Sequence, residues 1–156
     1  MKIKDLVNKI KNEKEIKDIL KNGGFLVSIL SILEPDESIK TWYIGFYDPS
    51  DKKITEAIVT DESLKIEEPD DPLREINNNL DMEYMKIDPD NAINIAKGEL
   101  NKYKISTKKI IISFQKKEKY VWNVNFVGSL GHLITIDIDS VNGKILNSKE
   151  VNILRR

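Results

Sequence analysis

Hydrophobic positions in the first twenty residues recur at helical spacing. Ile3, Leu6, Val7 and Ile10 fall on one face, followed by Ile16, Ile19 and Leu20. Glu13 and Lys14 interrupt the stripe, and Asn12 with Glu15 has the form of an N-cap and capping box, so a break is expected near Asn12. Gly23-Gly24 ends the helical pattern. The period then becomes that of strands in FLVSILSIL (25–33), IKTWYIGFY (39–47), KITEAIV (53–59) and a short LKIE (64–67). EPDES and DPSDK, each with Pro and Asp, supply turns between the first three. The first strand is apolar on both sides. Phe25, Val27, Ile29 and Leu33 share the face expected to meet the helix, and Leu26, Leu30 and Ile32 share the other, which also needs cover.

An acidic, proline-bearing stretch, EEPDDP (67–72), separates this half from the next. Leu73, Ile76 and Leu80 follow at helical spacing, with Asp71 and Pro72 placed as N-cap and N1, which predicts a short connecting helix. The pattern then restarts. Asp88 and Pro89 open a helix whose apolar face is Ala92, Ile93, Ala96, Leu100 and Tyr103. Strands are predicted at 109–115, 120–127, 133–139 and 144–151. GSLG (128–131) reads as a hairpin loop, and Asn142-Gly143 as a type I′ turn joining the last two strands. The predicted fold class is α+β, two helix-plus-antiparallel-meander units related as a pseudo-repeat. The first unit spans 1–70, a connecting segment 71–87, and the second unit 88–156.

The two halves share a motif built on the chain's two tryptophans, WYIGF at 42–46 and WNVNF at 122–126. Side chains alternate across a strand, so Trp42, Ile44 and Phe46 share one face, as do Trp122, Val124 and Phe126. Large aromatics at strand spacing serve packing, and each triplet is the expected floor for its own half's helix. The opposite face presents Tyr43, Gly45 and Tyr47 in one strand and Asn123 and Asn125 in the other. Two tyrosines flanking a glycine make a flat, amphipathic strip with a shallow gap, a candidate surface for a protein or peptide partner. Cover for the strip can equally come from the other half, or from a second copy of the chain in a homodimer.

Ala92-x-x-Ile95-Ala96, the Tyr120–Trp122–Val124 strand, Asp137 and the ending Gly143-Lys144-Ile145-Leu146 resemble the PepSY family. The second half, about 88 to 151, carries the resemblance. The first matches in outline, with Trp42, Ile44 and Phe46 in place but no terminal glycine in TDESLKI. The resemblance implies a small PepSY/cystatin-like α+β fold, often in tandem and often outside the cytoplasm. It implies a module that is not an enzyme and has no catalytic residues to assign. Some such domains occur in propeptides of thermolysin-like peptidases, which implies an inhibitory or regulatory binding role.

Composition adds mainly exclusions. Twenty-five Lys and Arg against 26 Asp and Glu give a net charge of −1, without the clustered basic excess that nucleic acid requires. With no cysteine, thiolate chemistry, disulfides and Cys-ligated zinc are out. His132 is the single histidine and cannot build a metal site alone. DIDSVNG fails the calcium-loop register, because Val141 and Asn142 stand where an oxygen donor and the glycine belong. A solvated face is the plainer account of Asp137 and Asp139. No Ser-His-Asp order or phosphate-binding glycine loop is present, so no enzyme activity, metal or cofactor is expected. No apolar run approaches the roughly 18 residues of a membrane span. MKIKDLVNKI lacks a signal-peptide h-region, so the chain as written reads as cytoplasmic, or as extracytoplasmic if an export signal has been removed. The expected function is a non-catalytic binding or regulatory module. The alternative is a small-molecule-binding protein or hydrolase using a cavity between the halves.

Overall fold

The N-terminal apolar stripe folds as two short helices, α1 (Ile3–Ile10) and α2 (Lys14–Lys21), in a computed structural model that describes residues 2–152 apart from 74, 75, 77 and 78. Ile3, Leu6, Val7 and Ile10 are buried on α1, and Ile16 and Ile19 on α2. The break falls where expected but is capped differently. Asn12 and Glu13 donate their backbone N–H groups to Lys9 and Ile10, finishing the last turn of α1. Asn12 is thereby used up, Glu13 becomes the N-cap of α2, and no capping-box bond forms. At the far end of α2 the chain closes a Schellman motif. Gly23, at φ 85°, donates to Leu20 O at 3.3 Å, and Gly24 donates to Ile19 O at 2.8 Å.

Among the described residues eight strands follow, with α3 between the fourth and fifth: β1 (Phe25–Leu33), β2 (Trp42–Asp48), β3 (Lys53–Val59), β4 (Leu64–Ile66), α3 (Pro89–Leu100), β5 (Lys109–Lys116), β6 (Tyr120–Val127), β7 (His132–Asp139) and β8 (Ile145–Asn152). The architecture is α+β. Two compact units form, Met1–Ile29 with Lys40–Met82, and Leu30–Ile39 with Glu83–Arg156. A 3-10 turn at Met82–Tyr84 precedes α3. The connecting helix expected over 73–80 falls on a stretch of which 74, 75, 77 and 78 lie outside the described residues.

In the first unit the strand order is β4-β3-β2-β1. The β2–β3 hairpin pairs Ile44 with Ala57 and Phe46 with Thr55, and β4 continues the antiparallel meander, pairing Ile66 with Ala57. α2 packs on β2, so Trp42, Ile44 and Phe46 enter the core with Ala57 and Val59. The expected alternation of β1 slips by one residue at Val27–Ser28. Leu26 is buried before that point and Ile29, Ser31 and Leu33 after it, while Phe25 and Val27 are half-buried. This is the effect of an extra residue in a strand, which shifts every later side chain to the other face.

The second unit runs β1-β5-β6-β7-β8 and packs α3 on β6 and β7. Register aligns Ile112, Val124 and Ile136 across three strands, with Phe114, Trp122 and Ile138 beside them. All six are buried, together with Ala92, Ile93 and Ala96 of the helix. Asp88 is the N-cap and Pro89 stands in the first turn, as the pattern predicts.

The hairpins exchange their expected turns. Asn142-Gly143 does not form a type I′ turn, since Gly143 alone has positive φ there. Asp139 carboxylate oxygen instead accepts from the backbone N–H groups of Val141 and Asn142 at 2.8 and 3.2 Å, making a longer loop. The consecutive positive φ values belong to Leu130 and Gly131, at 56° and 74°, where His132 donates to Ser129 O. A short-range signal lost to a neighbouring carboxylate in one case. In the other, strand twist forced a leucine into a conformation that its sequence does not advertise.

Candidate functional site

The expected partner strip lies on the face of β2 away from its helices. There Tyr43, Gly45 and Tyr47 stand opposite Ile58, Glu56 and Ile54 of β3. The gap at Gly45 is filled from within the unit, because a Cβ there would collide with Ser28 Oγ and approach Ile54 Cγ2 at 3.3 Å. Tyr47 also meets Phe25, ring centroids 5.6 Å apart. Tyr43 and Tyr47 are half-buried and Gly45 is buried, so the strip is packed at its centre and accessible at its two rings.

Beside it is a groove that sequence reasoning did not find. Past β4 the chain stays against β3: Glu67 donates to Glu56 O, and Ile54 and Asp70 exchange two backbone hydrogen bonds of 2.8 and 2.9 Å. From Ala57 to Ile54 is three steps, but their partners Ile66 and Asp70 are four steps apart, so a residue is inserted around Pro69. Farther on, Leu80 donates to Leu26 O on β1 at 2.8 Å. A cavity of about 610 Å³ results, walled by Val27, Ile54, Pro72 and Ile76. Glu56, Glu67, Glu68, Asp70 and Asp71 also line it. The acidic stretch EEPDDP therefore lines a groove. Its one sequence signal was that EEPDDP follows a strand directly.

Glu56 is the electrostatically perturbed member. Burial pushes its carboxyl above the ordinary range, and the neighbouring Glu67 carboxylate adds to the rise. The folded chain thus holds this proton more tightly than the unfolded chain. The stability it contributes is full below the unfolded value of 4.5 and is lost as pH rises through the raised folded value. Glu56→Gln is accordingly expected to melt above the parent at pH 7 and level with it below pH 4.5, as followed by thermal unfolding across that range. A neutral-pH Tm at or below the parent's would show that the two carboxylates do not oppose folding.

In the second unit the open face carries Asn123 and Asn125, and the structure ties both into a ladder. Asn125 Nδ2 donates to Asn123 Oδ1 at 2.7 Å. Asn123 Nδ2 donates to Asp137 Oδ1 at 2.8 Å and Thr135 Oγ1 at 3.2 Å. Lys117 Nζ completes the run on Asp137 Oδ2 at 2.8 Å. Asp137 and Asp139 are only 6% and 4% exposed, so they are not the solvated pair expected. Asp137 is held by the ladder and Asp139 by its turn. Side-chain hydrogen bonds of this kind fix register between β6 and β7 and leave little to offer a ligand at Asn123. His132 Nε2 lies 2.6 Å from Glu150 Oε2. Among the described residues no group of three His, Cys, Asp or Glu is placed to hold a metal ion, and no helix is long and apolar enough to cross a membrane.

The helix entered through Asp88-Pro89 and the meander that follows it coincide with a known domain. Residues 86–149 match the family model described as "Peptidase propeptide and YPEB domain". This segment of the second unit is similar to the PepSY domain. The match covers α3 and β5 to β7 with most of β8. No curated protein matches the chain. Among solved structures it is similar to a protein of Clostridium difficile 630 described as a candidate lipoprotein, with a TM-score of 0.61 and 16% identity over 97% of this chain and 93% of that one. At that identity the likeness speaks for the fold. The family resemblance seen at Ala92, Trp122 and Gly143 is thus met by the PepSY match, which leaves residues 1–85 and 150–156 outside it.

Proposed function

We propose that the chain is a non-catalytic regulatory module that takes an extended protein or peptide segment on the open face of its first unit, and that the partner is a peptidase or a segment a peptidase handles. The observation that carries this is the groove beside Tyr43 and Tyr47, an irregular sheet margin with apolar walls and polar rim. Such margins suit extended chains, which add backbone hydrogen bonds and seat alternate side chains. Tyr43 and Tyr47 lengthen the contact, and Gly45 keeps the face low between them. On the second unit, half-buried Asn125 is the member of its pair best placed to touch a partner. In this proposal the first unit is a divergent tandem copy, since it too runs from helix to meander with its tryptophan on the second strand. An extracytoplasmic setting fits the lipoprotein description of the structural neighbour better than a cytoplasmic one.

The test is a titration of the purified chain into a thermolysin-type metallopeptidase acting on a fluorogenic peptide. Saturable inhibition that weakens in a folded Tyr43→Ala, Tyr47→Ala variant is the expected result. Unchanged peptidase activity at high excess of the chain would remove the peptidase-regulating reading. Hydrolysis of the substrate by the chain alone would overturn the non-catalytic one.

A further inference from the structure

We infer that the occupant of the first unit's groove is a cationic segment, in which an Arg or Lys lays its aliphatic stem on Val27 and Ile54 and sets its charged head at the Glu56–Glu67 pair. This rests on the groove being a binding surface and adds the chemistry of what binds. Among the described residues lining the cavity five are carboxylic acids and none is Lys or Arg, although the whole chain holds 25 basic residues against 26 acidic ones. The charge is therefore segregated, not a by-product of an acidic protein. Among the described residues the nearby ion pair is Lys65 with Glu67 at 3.5 Å, which joins an exposed lysine to a half-buried glutamate and is weakly held. A second cavity of about 340 Å³ shares Glu67 and Glu68 and adds Glu15, Asp18, Asp48 and Asp51, which extends the negative potential along the same margin.

Two alternatives to a cationic side chain fail on geometry. A metal ion needs several ligands converging on one point, and no such group exists among the described residues. An anionic or nucleic-acid partner would meet like charge. Long basic side chains match both parts of the groove, because they bury an apolar stem while keeping the head at a carboxylate. Arginine fits best, since its planar fork can engage two carboxylates and keeps its charge where an ammonium loses it. Burial, with the Glu67 carboxylate adding to it, holds the Glu56 carboxyl above its ordinary range, and a bound cation would offset the Glu67 contribution.

The experiment uses the full chain and three synthetic probes: a capped peptide of alternating arginine and valine, its citrulline counterpart, and its glutamate counterpart. Binding is read by isothermal titration and by backbone amide shifts in the isotope-labelled chain. The arginine peptide should bind, shift Val27, Ser28, Ile54 and Glu56, and weaken with added salt. The Glu56→Gln, Glu67→Gln double variant should lose about tenfold in affinity, the value of two partly exposed charge pairs. Equal binding of the citrulline peptide, or affinity unchanged in the double variant, overturns the cationic inference but leaves the groove a binding surface. Shifts confined to other residues, or no binding by any probe, overturn both.

Discussion

Trp122→Ala is expected to cost about 3–5 kcal/mol of unfolding free energy, the upper range for truncating a buried aromatic. Trp122 is fully buried. Its ring lies 5.4 Å from that of Phe114, its register partner on β5, and it stands opposite Ile138 on β7. Removing it leaves a cavity at the middle of the second unit's sheet. A second loss is added, because Trp122 Nε1 donates to Ile87 O at 2.8 Å. Ile87 immediately precedes the N-cap of α3, so this bond fixes where the helix enters the core. Trp122→Phe separates the two contributions: it keeps much of the buried area and forfeits the hydrogen bond, for about 1–2 kcal/mol. Trp42→Ala, at 6% exposure in the first unit, should fall at the lower end of the same range. Chemical denaturation followed by circular dichroism, with linear extrapolation, gives each value. A Trp122→Ala midpoint close to the parent's would place that ring outside the core.

What could be read in advance was whatever depends on short-range periodicity. The apolar faces of α1, α2 and α3, and the core triplets at Trp42 and Trp122, follow from spacing alone, because burial of one face dominates each element's energy. The β1 slip at Val27–Ser28 could not be read, since FLVSILSIL is apolar in either register and offers no polar residue to set the face. The turns failed for a related reason. Asn142-Gly143 carries a strong local preference, but Asp139 supplied competing acceptor oxygens, and Leu130 was forced into positive φ by the strands on either side. Asp137 illustrates the limit for polar groups. An acid on a sheet face reads as solvated until Asn123 and Lys117, 14 and 20 residues away in sequence, are seen to hold it. The candidate site was half legible. Tyr43 and Tyr47 could be placed together on one face because they lie on one strand. The groove was not, because it joins Val27, Glu56 and Asp70 through an inserted residue near Pro69 that no local pattern announces.

Gly24→Ala is expected to destabilise the chain by about 3 kcal/mol, at the upper end for forcing one carbon into a packed site. The cause is close approach and not backbone freedom. A Cβ at this position would stand 2.5 Å from Tyr47 O and 2.6 Å from Ile19 O, and would collide with Ile19 Cγ2. Two of the three obstacles are backbone atoms. Ile19 O is held as the acceptor of Gly24's own N–H, and Tyr47 lies on β2, against which α2 packs. Relief therefore requires opening the Schellman motif or lifting α2 from the strand that carries Ile44 and Phe46. Two other glycine positions supply the controls. Gly23→Ala meets only Pro49 Cγ at 4.0 Å and suffers the left-handed backbone alone, for about 1–2 kcal/mol. Gly98→Ala, inside α3 with nothing within 4 Å, should gain about 1 kcal/mol from helix propensity. The order of stabilities, Gly98→Ala above the parent, then Gly23→Ala, then Gly24→Ala, is measured in one series of denaturant titrations. If Gly24→Ala costs no more than Gly23→Ala, the exit of α2 is not locked against β2. The first unit's core would then depend on its side chains without that backbone contact.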